Sequence, residues 1–313
     1  MKVEYFGNMY PPKEWLQRNY LLAERPFHIA GNTYFVGNAW CASHLIDTGE
    51  GLILLDTPCL SELPYLIDNI YQLGFQLRDL KYLVISHAHY DHYGCVRALV
   101  HLTGAKTFLS AADTEDMLLH PQRFEKMNLK LGRFNECFDV DVRLKDGDVI
   151  ELGNCRMRCV LTPGHTIGVM SHFWETEEDG RTVRIGIYGG AGYSGLSMQR
   201  IQECGYPVSI RDDFLRSIEK VWNEPVDIML GNHPFHNDVF LKQCRRCEGE
   251  KDAFLDPSEW HRYLTKLRDG YMAFLTQSEE QNQAQLSHSH FMEYVSEYHA
   301  HPGYRPVNRR DTT

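Results

Sequence analysis

Three imidazoles and one carboxylate fall within six positions in His87-Ala88-His89-Tyr90-Asp91-His92. Neutral imidazole and carboxylate are the side chains that bind a borderline divalent ion such as zinc. The apolar run from Tyr82 to Ile85 precedes them and reads as a buried strand, so the cluster sits at a strand exit. Its four donors leave the strand end in different directions, and one ion cannot take them all without strain. Two ions relieve the conflict, one served mainly by His87 and His89 and the other by Asp91 and His92. With 16 histidines in 313 residues, pairs arise by chance; an array this dense directly behind a strand does not. Clustered His and Asp at ligand spacing mark a metal site.

Two further strand exits carry histidine. Arg156 to Leu161 runs into Thr162-Pro163-Gly164-His165-Thr166, and Val226 to Leu230 runs into Gly231-Asn232-His233-Pro234-Phe235-His236. Loops at one edge of a sheet converge, so residues distant in sequence can meet there. Gly164 lets the backbone bend close to an ion. Alone, His165 divides evenly between ligand and buried hydrogen-bonding residue; beside the first cluster it is a candidate ligand. His233 leaves its strand first and is preferred to His236, which stays in reserve. His44, His101, His120, His172 and His261 are read as structural or surface residues.

The elements that must position these side chains follow from pattern. Residues 1–27, rich in aromatics and proline, read as an arm on the body or on a neighbouring subunit, and so raise the expectation of a homo-oligomer. Short β-branched and aromatic runs from Phe27 to Leu55, separated by Gly31-Asn32, Gly37-Asn38 and Asp47 to Gly51, predict an antiparallel meander. A helix over about 61–73 tolerates Pro64 in its first turn. One helix is predicted over about 91–100 and another over 111–119, the latter begun by Ser110 with Asp113 three positions on. Residues 121–139 show no period and read as a surface loop near the site. Val142-Arg143-Leu144 and Val149 to Leu152 read as a hairpin across Lys145-Asp146-Gly147-Asp148. Strands over 170–174 and 183–188 flank a turn at Glu177 to Gly180. A helix over about 211–222 has a Ser209-to-Asp212 cap. The helix opened by Asp256-Pro257-Ser258-Glu259 carries Trp260, Leu264, Leu267, Tyr271 and Phe274 on one face as a core stripe. Strands then helices, twice over, predict an α/β fold of two mixed sheets packed face to face with helices outside, four layers in all. Residues 1–280 count as one domain. Residues 281–313, with His288, His290, His299 and His301, read as a polar, solvated tail.

Composition narrows the function classes. At 43% hydrophobic and 24% charged residues the chain suits a soluble enzyme with a large core. A net charge of −10 argues against a general nucleic-acid binder, which shows a basic face. No run reaches the ~18 apolar residues of a membrane span and no leader is seen, so a cytoplasmic location is expected unless a leader has been removed. Nine cysteines, an odd count without framework spacing, agree with a reducing compartment. Cys244-Arg245-Arg246-Cys247 lacks a second pair and reads as two ordinary surface thiols.

The chain resembles the metallo-β-lactamase superfamily, whose H-x-H-x-D-H signature stands here as His87 to His92. The likeness runs from about Phe27 to Asp238 through Gly31-Asn32-Thr33-Tyr34, Leu54-Leu55-Asp56-Thr57, Lys145 to Asp148, Thr162 to Thr166 and Gly231-Asn232-His233-Pro234. Within the superfamily it is most similar to subclass B3 β-lactamases. The resemblance implies the four-layer αββα fold and two zinc ions: His87, His89 and His165 on the first, Asp91, His92 and His233 on the second. Related thioesterases, lactonases, nucleases and flavodiiron proteins place a metal-bridging aspartate after the strand that ends here in Ile187-Tyr188-Gly189-Gly190-Ala191-Gly192, and this chain offers no carboxylate there. The first β-lactamase subclass places a cysteine ligand in that region, but Cys204 lies well past it.

Two Zn2+, five neutral imidazoles, one carboxylate and a shared hydroxide leave a centre of about +2, against about +1 with a bridging aspartate. That charge favours a small anionic substrate such as a β-lactam carboxylate. Zinc lowers the pKa of bound water from ~15.7 toward ~7. Asp91 is expected to orient this nucleophile and relay its proton. In family members the loop at Gly189 to Gly195 borders the second metal, which makes Tyr193 and Ser194 candidate substrate contacts. Tyr90 and Tyr93 flank the ligands as packing residues. The rival reading is a cytoplasmic hydrolase of a lactone, thioester or cyclic amide that shares every ligand.

Overall fold

The β-branched and leucine-rich runs pair into two sheets in a computed structural model that describes residues 9–124, 136–277 and 288–307. The first sheet has seven strands in sequence order: β1 (Phe27–Ala30), β2 (Thr33–Phe35), β3 (His44–Asp47), β4 (Leu52–Leu55), β5 (Leu80–Val84), β6 (Lys106–Ser110) and β7 (Val142–Leu144). Pairs β1 to β4 are antiparallel and pairs β4 to β7 parallel. The second sheet has β8 (Val149–Leu152), β9 (Cys155–Leu161), β10 (Met170–Glu178), β11 (Arg181–Ile187) and β12 (Ile228–Leu230), in the order β12-β11-β10-β9-β8. All its pairs are antiparallel except β11 with β12.

The period of two along each strand divides the core. Ile53 and Leu55 of β4 join Val84, Met170, Trp174, Ile185 and Ile187 between the sheets. Leu52 and Leu54 face the other way, onto Leu66, Ile70, Val96 and Leu99 of the helices Leu63–Gln72 and Val96–Thr103. Across the molecule Val160, Phe173 and Met229 pack under the helices Ile210–Lys220 and Glu259–Leu275. The result is the expected αββα sandwich. The stripe Trp260, Leu264, Leu267, Tyr271, Phe274 is fully buried. Among the described residues no helix is long and apolar enough to cross a membrane.

Four local expectations are corrected. β7 and β8 are not a hairpin: β7 lies parallel to β6 in one sheet and β8 antiparallel to β9 in the other, so Lys145 to Asp148 crosses between layers. The turn chemistry is as read, with Asp148 Oδ2 accepting from Lys145 N at 2.7 Å and Gly147 at φ +83°; a turn does not reveal which strands its arms join. The helix over 91–100 is broken into Tyr90–Tyr93 and Val96–Thr103. There Thr57 intervenes: its N–H donates to the His92 carbonyl at 2.8 Å and its hydroxyl accepts from Cys95 N at 3.1 Å. Ser209 is helical itself and caps nothing with its side chain; its carbonyl accepts from Asp212 N.

The fourth correction concerns the C-terminus. Residues 288–299 form a helix whose Phe291, Tyr294, Val295 and Tyr298 are buried in the central core. That i, i+3, i+4, i+7 stripe lies hidden among polar residues. Tyr298 donates to Glu24 Oε1 at 2.7 Å, and Trp15 meets Phe291 edge-on at 5.9 Å. From residue 9 onward the N-terminal arm therefore lies on its own chain's body and shares a core with the C-terminal helix; Leu16 and Leu22 are buried in it. His299 sits 3.3 Å from Glu24 and His301 3.8 Å from Glu248. The expected boundary at 280/281, Gln281 to Gln283, the side chain of His288 and residues 125–135 of the loop expected over 121–139 lie outside the described residues; the start of that loop, Pro121–Phe124, is a short helix.

Candidate metal centre

Three strand exits deliver the candidate ligands to one edge of the sandwich: His87, His89, Asp91 and His92 after β5, His165 after β9, His233 after β12. They gather as two groups, His87 with His89 and His165, and Asp91 with His92 and His233. Within each group the ligand atoms lie within 4.8 Å of one another. His236 belongs to neither group, although its ring centroid is 5.2 Å from that of His233. His44 and His172 are buried elsewhere in the core, where loss of solvent pulls each down to about 4.

Hydrogen bonds fix which nitrogen each imidazole offers. His87 Nδ1 meets the Gly189 carbonyl at 2.8 Å, His165 Nδ1 the Gly192 carbonyl, and His233 Nδ1 the Trp40 carbonyl at 2.6 Å. A carbonyl only accepts, so these Nδ1 atoms carry the protons and each Nε2 keeps its lone pair. His92 Nδ1 is held by Asp56 Oδ2 at 3.1 Å, with the same consequence. The free Nε2 of His165 lies 2.8 Å from His89 Nδ1, and those of His92 and His233 each lie 3.8 Å from Asp91 Oδ2. Nitrogens around a tetrahedral zinc at ~2.0–2.1 Å stand about 3.3 Å apart, so small side-chain movements fit both groups to an ion. The fit is further supported by His87 Nε2, which is buried without a hydrogen-bond partner among the described residues. An orphaned polar atom of that kind costs free energy unless something takes its lone pair.

Electrostatics agree with that use. Burial, then neighbouring imidazoles, pushes His87 well below its ordinary value and His165 down to about 3. Burial also draws His89 and His233 to about 4. All four are neutral at pH 7, the state that binds metal. His92 differs: burial opposes its charge, but Asp91 and the bond to Asp56 outweigh that and raise it. Asp91 is held low against burial by His92 and His233, so it is an anion.

Asp56 anchors the second group. It adopts the left-handed region at φ +59°, and its carboxylate accepts from Ser86 N and Ser86 Oγ at 2.7 Å each and from His92 Nδ1 and Asn232 Nδ2 at 3.1 Å each. Its neighbourhood therefore joins β4, β5 and β12 beneath the ligands. The tetrapeptide that contains it was legible, but this role was not.

The loop after β11 leaves little room for another ligand. A Cβ at Gly189 would run into the Met170 carbonyl, and one at Gly190 would lie 3.0 Å from His165 Cδ2. Asp91 is the sole carboxylate in the two groups. Tyr193 is corrected as a substrate contact: its ring is buried in the helix-side core, 5.4 Å from Phe274 and 5.9 Å from Tyr271. Ser194 remains half-buried at the loop. Aromatic residues that spacing did not single out line the metal edge. Phe235 stacks on His233 at 5.1 Å, Trp40 lies 6.0 Å from His233, and Tyr10 bonds the Tyr90 hydroxyl while packing on Trp40 at 4.8 Å. Tyr93 is buried packing, its hydroxyl bonded to the Phe124 carbonyl at 2.9 Å.

An αββα sandwich that carries paired His/Asp groups at its edge defines a class of candidate metal-binding proteins rather than one reaction. The family model of the Metallo-beta-lactamase superfamily matches residues 40–178. Among solved structures, the metallo-beta-lactamase GOB-18 from Elizabethkingia meningoseptica is 31% identical with a TM-score of 0.72, and the match covers 89% of this chain and 99% of that one. BJP-1, a subclass B3 metallo-beta-lactamase of Bradyrhizobium japonicum, is 27% identical with a TM-score of 0.72, covering 85% and 97%. The chain belongs to the metallo-beta-lactamase superfamily and has subclass B3 enzymes among its structural neighbours. Curated relatives match over shorter stretches. The probable polyketide biosynthesis zinc-dependent hydrolase PksB of Bacillus subtilis is 32% identical over 106 residues, 34% of this chain and 40% of that protein. An N-acyl homoserine lactonase of Bacillus thuringiensis is 26% identical over 166 residues, 45% and 60% respectively.

Proposed function

We propose that this superfamily hydrolase holds two zinc ions and opens the amide of β-lactams, small substrates with an anionic group beside the scissile bond. The observation that carries the reading is the ligand set itself. Five imidazoles and the single carboxylate of Asp91 make up the two groups, and the positions after β11 at Gly189 and Gly190 carry no side chain at all. Such a centre keeps more positive charge than a carboxylate-bridged one and attracts an anion more strongly. Zinc held there supplies Lewis acidity and a water acidified toward ~7.

The chain's own residues do the rest. The carbonyls of Gly189, Gly192 and Trp40 hold three imidazoles in the tautomer that offers Nε2. Asp91 Oδ2, an anion between the Nε2 atoms of His92 and His233, is placed to take the proton of the attacking water and return it to the departing nitrogen. Trp40 and Phe235 pack against the His233 ring, and Tyr90 packs against Trp40.

A second reading is a hydrolase of lactones, and the match to an N-acyl homoserine lactonase favours it. Zinc content measured beside kcat/KM for a penicillin, a carbapenem and a homoserine lactone separates the two. The β-lactam reading expects two zinc ions and kcat/KM for a β-lactam at least tenfold above the lactone. The reverse order, with two zinc ions retained, establishes the lactone reading. Purified protein that binds no zinc removes both.

A further inference from the structure

Resting on the zinc reading above, we propose that Asp113 is a positioning residue that locks the first zinc's ligands, His87, His89 and His165, into a single geometry. Asp113 stands in the first turn of the helix Ala111–Leu119, far in sequence from every ligand, and is 1% exposed. Its Oδ2 accepts from Ala88 N at 2.8 Å and from Thr166 Oγ1 at 2.8 Å, and its carboxylate also accepts from Gly168 N. Ala88 is the residue between His87 and His89, and Thr166 directly follows His165. One buried carboxylate therefore ties together the two loops that contribute the first group. The loops also meet at one backbone bond, from Met170 N to Ser86 O at 2.8 Å; Asp113 is the side-chain tie that reaches Ala88 and Thr166, the chain neighbours of His89 and His165.

The packing around Asp113 leaves no slack. A Cβ at Gly168 would lie 2.6 Å from Asp113 Oδ1 and press on Ser110 Oγ as well. Ser110 Oγ in turn accepts from Asp113 N at 3.1 Å, which fixes the backbone from which the carboxylate projects. The capping pattern is thus half used for capping: the serine caps the helix, while the carboxylate three positions on turns away to the ligand loops. The second group has its own anchor in Asp56, and no bond of Asp113 reaches His92, His233 or Asp91.

The test reads each zinc group separately. Asp113→Asn nearly preserves volume but places an amide N–H₂ where an oxygen accepted, so one of the three donors is opposed. Zinc affinity is measured by chelator competition for this substitution in two backgrounds. His233→Ala leaves the first group to be read, and His165→Ala leaves the second. Loss of a residue that orients ligands costs about 10–100-fold in metal affinity. That loss is expected in the His233→Ala background, with less than about a threefold change in the His165→Ala background. A purely structural carboxylate would lower the melting temperature and leave both affinities alone, which overturns the proposal, as do equal losses in both. Should Asp113→Asn fail to fold, Thr166→Val removes one bond and leaves the carboxylate. A first-group loss of about threefold to tenfold then supports the role, and an unchanged affinity overturns it. Parent protein that binds no zinc at all defeats the zinc reading and this inference together; parent protein with two zincs and an indifferent Asp113→Asn defeats only the inference.

Discussion

Replacing Asp56 by Asn tests whether the second ligand group is held by a buried anion or merely by shape. The carboxylate accepts four bonds, from Ser86 N, Ser86 Oγ, His92 Nδ1 and Asn232 Nδ2. An amide has one accepting oxygen. Its better orientation places that oxygen at the Oδ2 position, where three donors converge, and sets the N–H₂ against Ser86 N–H. The opposed pair forfeits a bond to a charged group, about 1.5–3 kcal/mol, and the other three fall from charge-assisted to neutral strength at about 1 kcal/mol each. Zinc-free protein should therefore lose about 4–6 kcal/mol, a large part of the ~5–15 kcal/mol that holds a typical domain. His92 Nδ1–H would be held more weakly, so the second zinc should bind about 10–100-fold less tightly; the first group meets Asp56 only through Ser86, whose Oγ lies 3.0 Å from His87 Nδ1, and should lose less. Urea unfolding of the chelator-treated protein gives the first number and chelator competition the second. Unfolding within about 1 kcal/mol of the parent, with the second zinc bound as tightly, would refute the anchoring argument.

Further outcomes follow from the same structure. Tyr298→Phe removes only the hydroxyl that donates to Glu24 at 2.7 Å and should cost about 1.5–3 kcal/mol, whereas Tyr298→Ala also vacates a buried ring site and should cost about 3–5 kcal/mol or more. Equal stability of parent and Tyr298→Phe in urea would show that this bond contributes nothing. Asp227 is held below the usual carboxylate range chiefly by its hydrogen bonds to Arg184, at 2.6 and 2.7 Å, against a burial effect that opposes ionisation. A depressed carboxylate adds stability above its unfolded value of ~3.9 and loses it as pH falls through the folded one. With the Arg184 side chain 44% exposed, the pair contributes about 1 kcal/mol at most. Asp227→Asn should therefore unfold more easily at pH 7, and the gap should close as the pH is lowered below ~3.9; a gap that persists in acid contradicts the assignment. Asp91→Asn should lower kcat by about 100-fold or more with a smaller change in KM, because the proton relay acts only during reaction. Unchanged turnover with full zinc content would remove Asp91 from that role.

The candidate ligands could be picked out because metal chemistry admits few side chains, and the strand exits do bring them to one edge as two groups. His87 to His92 announced the site by density, and His165 and His233 by their places after β9 and β12. The four layers were legible for a similar reason: period-two runs and helical stripes each demand a partner face. What stayed hidden depends on partners rather than on residue type. Lys145 to Asp148 has the letters of a hairpin turn, and only the parallel seat of β7 beside β6 makes it a crossover. Phe291, Tyr294, Val295 and Tyr298 form an apolar stripe, but in a histidine-bearing, polar stretch it reads as tail until the arm and Glu24 are there to receive it. Tyr193 sits in a loop whose glycines suggest substrate access, yet its ring turns into the aromatic core formed by Phe214, Tyr271 and Phe274. Asp56 and Asp113 are single carboxylates with no local pattern of their own; their work is visible only once the loops they join are brought together.

That pair also explains how a site assembled from three loops can be stiff before any ion arrives. Each ligand group has one buried anion behind it, Asp56 under the second and Asp113 beside the first, and each anion collects three or more donors from separate elements. A buried charge is tolerable only when such donors surround it, so any movement of one loop leaves a carboxylate short of a bond. The loops are therefore coupled through the cost of desolvated charge as well as through the direct contact of His89 with His165 at 2.8 Å. The glycines after β11 complete the scheme by letting the Gly189 and Gly192 carbonyls approach His87 and His165 closely. A side chain at Gly190 would press on the His165 ring, so the bare backbone there keeps that ring where the Gly192 carbonyl holds it. Carbonyls set the tautomers of His87, His165 and His233, and Asp91 is the single negative charge in the two groups.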